Sequence, residues 1–114
     1  MRKVSLSEVK RVGVSHDPSI MKQVLLERGD IPHLTHFSIA IVAKGKSTTA
    51  HSHADLYEAF YVASGSGLIR IDGESTPIEP QTIVVVEPGE THEITNTGET
   101  ELTLIYFGIE SPVS

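Results

Sequence analysis

The sequence has no cysteine, which excludes disulfide stapling, cysteine-built zinc ribbons and thiol catalysis. For the same reason, cysteine usage says nothing about the redox compartment. Cations are scarce: 9 Lys and Arg stand against 15 Asp and Glu, for a formal net charge of −6. Nucleic acids and anionic membranes are bound through clustered Lys and Arg, so neither is expected as a partner. The one basic cluster, Arg2, Lys3, Lys10 and Arg11, is short, broken by Glu8, and reads as a solvated terminal segment. Long apolar runs are also missing. No stretch is long enough to span a membrane, and MRKVSLSEVKRVGV lacks the apolar core of a signal peptide, so the expectation is a cytoplasmic protein. No Gly-x-Ser-x-Gly elbow or phosphate-cradling loop is present, and Gly65-Ser66-Gly67 reads as a hairpin turn. There is no internal repeat, low-complexity tract or linker. At 114 residues the chain is expected to form one domain, residues 1–114, large enough for a real core.

What the sequence does have is short apolar or alternating runs separated by turn residues, the pattern of an all-β sandwich or barrel. The runs predict strands over residues 22–27, 34–42, 48–53, 57–63, 67–72, 82–87, 90–96 and 101–108. Asp72-Gly73 suits a type I′ hairpin, whose central residues both need positive φ, and Pro88-Gly89 suits a type II turn. No long helical period with caps is found; residues 6–11 after Ser5 would form a short helix at most. Ile83-Val84-Val85-Val86 is apolar on both faces, so both faces need a cover. One cover is the barrel interior. The other is the N-terminal segment or a second copy of the chain, and we expect a homodimer.

Chemistry concentrates in HSHADLYE, residues 51–58. Alternate residues of a strand share a face, which places His51 and His53 together. A turn at Ala54-Asp55-Leu56 resets the phase and allows Glu58 to return to that face. If Phe60 and Val62 point inward, so does Glu58, and a buried lone carboxylate is costly unless a cation meets it. In EPGETHEITN, residues 87–96, His92, Ile94 and Asn96 share a face that Ile94 marks as inward. Three imidazoles and a carboxylate directed into one barrel suit a first-row transition metal, with coordination positions left for water or substrate.

These residues resemble the cupin superfamily. Gly45-x5-His51-x-His53-x4-Glu58-x6-Gly65 agrees with its first signature at every defined position, and Pro88-Gly89-x2-His92-x3-Asn96 is similar to the second. Two positions depart: Gln81 stands where the pattern begins with glycine, and Glu87 stands where it has proline. The resemblance spans residues 45–108, with residues 1–44 supplying N-terminal strands. It implies a double-stranded β-helix, or jelly-roll, barrel. Inside it, His51, His53, Glu58 and His92 would bind one divalent transition-metal ion (Fe, Mn, Zn, Ni or Cu). The texture YEAFYVASGSGLIRIDGE followed by VVVEPGETHEITNTGETEL is similar to small single-domain cupins described as phosphomannose-isomerase-like.

The expected function is a metal-dependent enzyme acting on a small polar metabolite, by isomerase, epimerase or dioxygenase chemistry. The alternative is a non-catalytic ligand-binding or sensor barrel that uses the same pocket. Phe60, Val62 and Ile94 are expected to line its floor. His16, His33 and His36 fall outside both signatures and are assigned surface or loop positions. Tyr57, Tyr61 and Tyr106 are expected to pack their rings with the hydroxyls at an edge, and Arg70 to reach solvent or an acidic partner. Which of His33, His36, Tyr57, Tyr61, Arg70 and Tyr106 line the pocket is left open.

Overall fold

The computed structural model describes residues 1–14 and 17–111; His16 lies outside the described residues. After a short 3-10 turn at Leu6–Glu8, nine strands follow: β1 (Val12–Val14), β2 (Asp17–Glu27), β3 (Leu34–Val42), β4 (Leu56–Ser64), β5 (Gly67–Ile71), β6 (Glu74–Ile78), β7 (Ile83–Val86), β8 (His92–Asn96) and β9 (Leu102–Glu110). They form a six-stranded sheet ordered β1-β2-β3-β9-β4-β7 and a three-stranded sheet ordered β6-β5-β8. All pairings are antiparallel. The two sheets close on one core as a jelly-roll barrel, the fold expected from the sequence.

The register of the larger sheet explains what faces the interior. Lys22, Ala40, Leu104 and Val62 form one cross-strand row; Val24, Ser38, Tyr106, Phe60 and Val84 form the next. A third row runs His36, Gly108, Glu58, Val86. Ile20, Val42, Val62, Ile69, Val86, Ile94, Leu102 and Leu104 fill the core between the sheets. The turns obey local chemistry. Asp72 and Gly73 adopt φ of 47° and 87°, as a type I′ turn requires. Gly89 sits at φ 84°, and Glu90 N–H donates to the Glu87 carbonyl to close the Pro88-Gly89 turn.

Several expectations need correction. Residues 48–53 do not form a strand; this stretch keeps one isolated bridge, His51 to His92, beside a second at Ser47–Thr95. The N-terminal helix shrinks to three residues, Leu6–Glu8. Strands β1 and β6 were not anticipated, because Val12–Val14 is very short and Glu74–Ile78 is almost wholly exposed and carries Pro77. The N-terminal segment does not cover Ile83–Val86, since β1 and β7 lie at opposite edges of the sheet. Val86 faces the core, whereas Ile83 and Val85 are 62% and 56% exposed. Asn96 has a structural duty: its amide donates to the Val42 and Thr100 carbonyls, and its oxygen accepts from Gly98 N–H.

Candidate metal centre

Two kinds of backbone deliver the site. Glu58 is the third residue of β4 and His92 opens β8; their side chains are buried. His51 and His53 come from the irregular run between β3 and β4, and His51 is exposed. That run is pinned to β8 by paired bonds in which His51 N–H donates to the His92 carbonyl and His92 N–H to the His51 carbonyl. Gly89 N–H donates to the His53 carbonyl at 2.7 Å, tying the Pro88-Gly89 turn to the second histidine. The result is convergence. Each of His51, His53, Glu58 and His92 offers a donor atom within 4.8 Å of the others, a set that could hold a metal ion.

Hydrogen bonds orient the rings. His51 Nδ1 donates to the Thr49 carbonyl at 2.8 Å and His92 Nδ1 points to the Glu90 carbonyl at 3.4 Å. In that tautomer each Nε2 presents a lone pair. Glu58 Oε1 lies 3.3 Å from both His53 Nε2 and His92 Nε2. Yet Oε1 and His92 Nε2 are buried atoms with no hydrogen-bond partner. Two acceptors facing each other in a dry site are unfavourable, and a cation between them resolves the conflict.

The charge state of Glu58 agrees. Burial pushes its carboxyl upward, but the neighbouring histidines, led by the hydrogen bond from His36, outweigh it and bring the group down from 4.5 to about 2. The carboxylate is therefore held ionised.

His51, His53 and Glu58 line a cavity of about 750 Å³. Phe60, Ile94 and Leu104 supply apolar wall; Val62, expected there, is part of the core instead. Of the residues left open, His36 and Tyr106 line the cavity, whereas Tyr57, Tyr61 and Arg70 are exposed and lie outside its lining. His33 is exposed beside Glu110, at 3.7 Å. The surface position expected for His36 is thus wrong: it is half-buried, with Nε2 3.1 Å from Glu58 Oε2. Lys22 was not singled out from the sequence, although its parity with core residue Ile20 was a readable sign that it faces inward. A smaller depression of about 350 Å³, between the N-terminal segment and β2, contains the Arg2–Asp30 ion pair and no converging histidines.

Residues 38–108 match the Cupin domain family. Over 61 residues the chain is 33% identical to an oxalate-binding protein of Thermotoga maritima, covering 54% of this chain and 50% of that protein. The match thus spans about half the length of that relative. A crystal structure from Thermotoga maritima, described as a predicted oxalate decarboxylase, superposes with a TM-score of 0.88 at 24% identity, covering 96% of this chain and 99% of the other. A cupin-superfamily sugar phosphate isomerase from Silicibacter pomeroyi gives a TM-score of 0.81 at 16% identity, covering 97% and 77%. At these identities the two structures speak to the fold alone.

Proposed function

The chain belongs to the cupin family, and from that premise we propose that His51, His53, Glu58 and His92 hold one divalent transition-metal ion at which a small anionic metabolite is bound and converted. The observation that carries this reading is the buried pair of unpartnered acceptors, Glu58 Oε1 and His92 Nε2, 3.3 Å apart. Three imidazole nitrogens and one carboxylate oxygen suit Fe, Mn, Zn, Ni or Cu, rather than ions that demand all-oxygen cages. When bound, such an ion supplies a Lewis acid with positions open to a ligand oxygen.

The chain's own residues would do the rest. Lys22 is half-buried on the cavity wall and has no carboxylate partner among the described residues, so its ammonium offers a second anchor for an anion. Phe60, Ile94 and Leu104 exclude water from the ligand's apolar part and leave orientation to a few polar groups. The relative named an oxalate-binding protein fits a small carboxylate ligand. The same name favours a second reading, a barrel that binds such a ligand without converting it.

One experiment addresses both. Protein purified without an affinity metal is analysed for elements, titrated calorimetrically with oxalate and other small carboxylates, and incubated with each under NMR. The proposal expects one ion per chain, binding that disappears on chelation, and product from at least one carboxylate. Lys22→Gln should weaken anion binding roughly tenfold, the scale of one charge-assisted hydrogen bond, and leave metal content unchanged. Binding without turnover selects the second reading; no metal-dependent binding defeats both.

The proposed assembly is a homodimer. Tyr57, Tyr61, Ile83, Val85 and Ile109 are all exposed large side chains, and strand pairing puts Ile83 opposite Tyr61 and Tyr57 opposite Ile109. A contiguous apolar patch on the outer face of β7, β4 and β9 is the kind of surface that a second copy covers. Light scattering should give twice the chain mass at micromolar concentration, and Ile83→Asp should halve it. A monomer mass for the unmodified chain contradicts this assembly.

A further inference from the structure

The two oxygens of Glu58 meet different company. Oε1 faces His53 and His92, whereas Oε2 lies 3.1 Å from His36 Nε2. His36 is on β3 and Glu58 on β4, and these strands do not touch: β9 runs between them. In the row they share, the residue between is Gly108, paired with His36 on one side and Glu58 on the other. Backbones two strands apart are separated by roughly 10 Å, twice the inter-strand spacing. The imidazole can cross that gap only because β9 carries no side chain at this point. A Cβ on Gly108 would collide with Thr35 Oγ1 and come within 3.5 Å of His36 Cδ2.

The far side of the ring is held as well. His36 Nδ1 lies 2.9 Å from Ser38 Oγ. Ser38 is fully buried and pairs across the strands with Tyr106. Tyr106 meets the His36 ring edge-on at 4.8 Å and stacks on Phe60 at 5.0 Å, so neither ring is free to turn. An ionised carboxylate only accepts, so Nε2 carries the proton and Nδ1 accepts from the Ser38 hydroxyl. Every donor points toward Glu58.

We infer that Ser38 and His36 form a fixed donor chain that occupies Glu58 Oε2 and so makes Glu58 a single-oxygen ligand, with only Oε1 turned to the metal. His36 is accordingly a positioning residue. It prevents two-oxygen chelation by Glu58, which would fill a coordination position that a substrate needs. The inference rests on the metal reading above, and Co(II) allows the two to be separated. A merely structural role for His36 would not alter the visible spectrum of bound Co(II), which reports coordination number and geometry.

The test compares the unmodified chain with His36→Phe, which keeps a ring against Tyr106 but loses the donor, and His36→Gln, which restores an N–H. Each is titrated with Co(II) against a competing chelator, and near-ultraviolet circular dichroism checks the fold of the metal-free form. The expected result is one Co(II) per unmodified chain. His36→Phe should bind ~10–100-fold more weakly, the usual cost of losing an outer partner of a ligand, with an altered spectrum. His36→Gln should recover most of both. If His36→Phe does not fold, Ser38→Ala reads the same chain from its far end and should move the spectrum in the same direction. Unmodified protein that binds no Co(II) overturns the metal reading and this inference with it. Co(II) bound with the same spectrum and affinity in the folded variants overturns the donor chain alone.

Discussion

The two halves of the candidate site are built differently. Glu58 and His92 stand on strands, are 6% and 2% exposed, and are fixed from behind, Glu58 by His36 and His92 by its ladder bonds to His51. His51 and His53 hang from a run with no regular strand, one ring exposed and the other half-buried. The buried half is paid for by the fold, since removing it leaves a cavity and unpaired polar atoms. The exposed half owes its position to two short anchors, the His51–His92 bridge and the Gly89–His53 bond. The strand-borne half is thus the more firmly held of the two.

The largest effect should come from breaking the buried half. His92→Ala should abolish metal binding and lower stability by about 2–4 kcal/mol, as core truncations next to a buried charge do. His51→Ala should also strip the metal but change the stability of the metal-free chain by no more than about 0.5 kcal/mol. Chemical denaturation of both metal-free variants checks the contrast, and equal losses would erase it.

Acid separates the halves next. Glu58 has a folded-state value near 2 against an ordinary 4.5, so its ionisation stabilises the fold above about 4.5 and that contribution is lost as pH falls toward about 2. Metal should leave earlier, because imidazole must be neutral to ligate and ordinarily protonates near ~6.5. Following bound metal and circular dichroism together should give two transitions, metal loss first and acid unfolding well below it. Glu58→Gln should remove the Glu58 contribution to the lower one.

How much of this could be read from the sequence differs between the same two halves. His51 and His53 were placed together by strand parity, and their rings do converge, 5.0 Å apart between centroids, although the backbone there is not a strand. The turn chemistry of Asp72-Gly73 and Pro88-Gly89 was legible because positive φ leaves a residue signature. The support behind Glu58 was not legible. His36 matters only because Gly108 stands opposite it, and that pairing belongs to the register between β3 and β9 rather than to either segment. Lys22 differs, since its parity with Ile20 on β2 is enough to turn it inward. β6 escaped notice because its residues are polar and exposed, with only Ile78 buried.

The smallest effect lies outside both halves. Gln81, at the position where the cupin pattern has glycine, adopts φ 70° while its N–H donates to the Val62 carbonyl. A non-glycine residue in that region costs about 1 kcal/mol, so Gln81→Gly should raise the melting temperature slightly and leave metal content unchanged. A fall in stability would mean that the side chain contributes more than its backbone strain costs.

The most direct test of the account is the metal content of the chain itself, measured by elemental analysis after purification without an affinity metal and again after restoring Zn, Mn or Co to a chelated sample. The account predicts one divalent transition-metal ion per chain, lost in both His53→Ala and Glu58→Gln while the fold persists. A folded chain that carries no such ion and takes up none at micromolar concentration would contradict it.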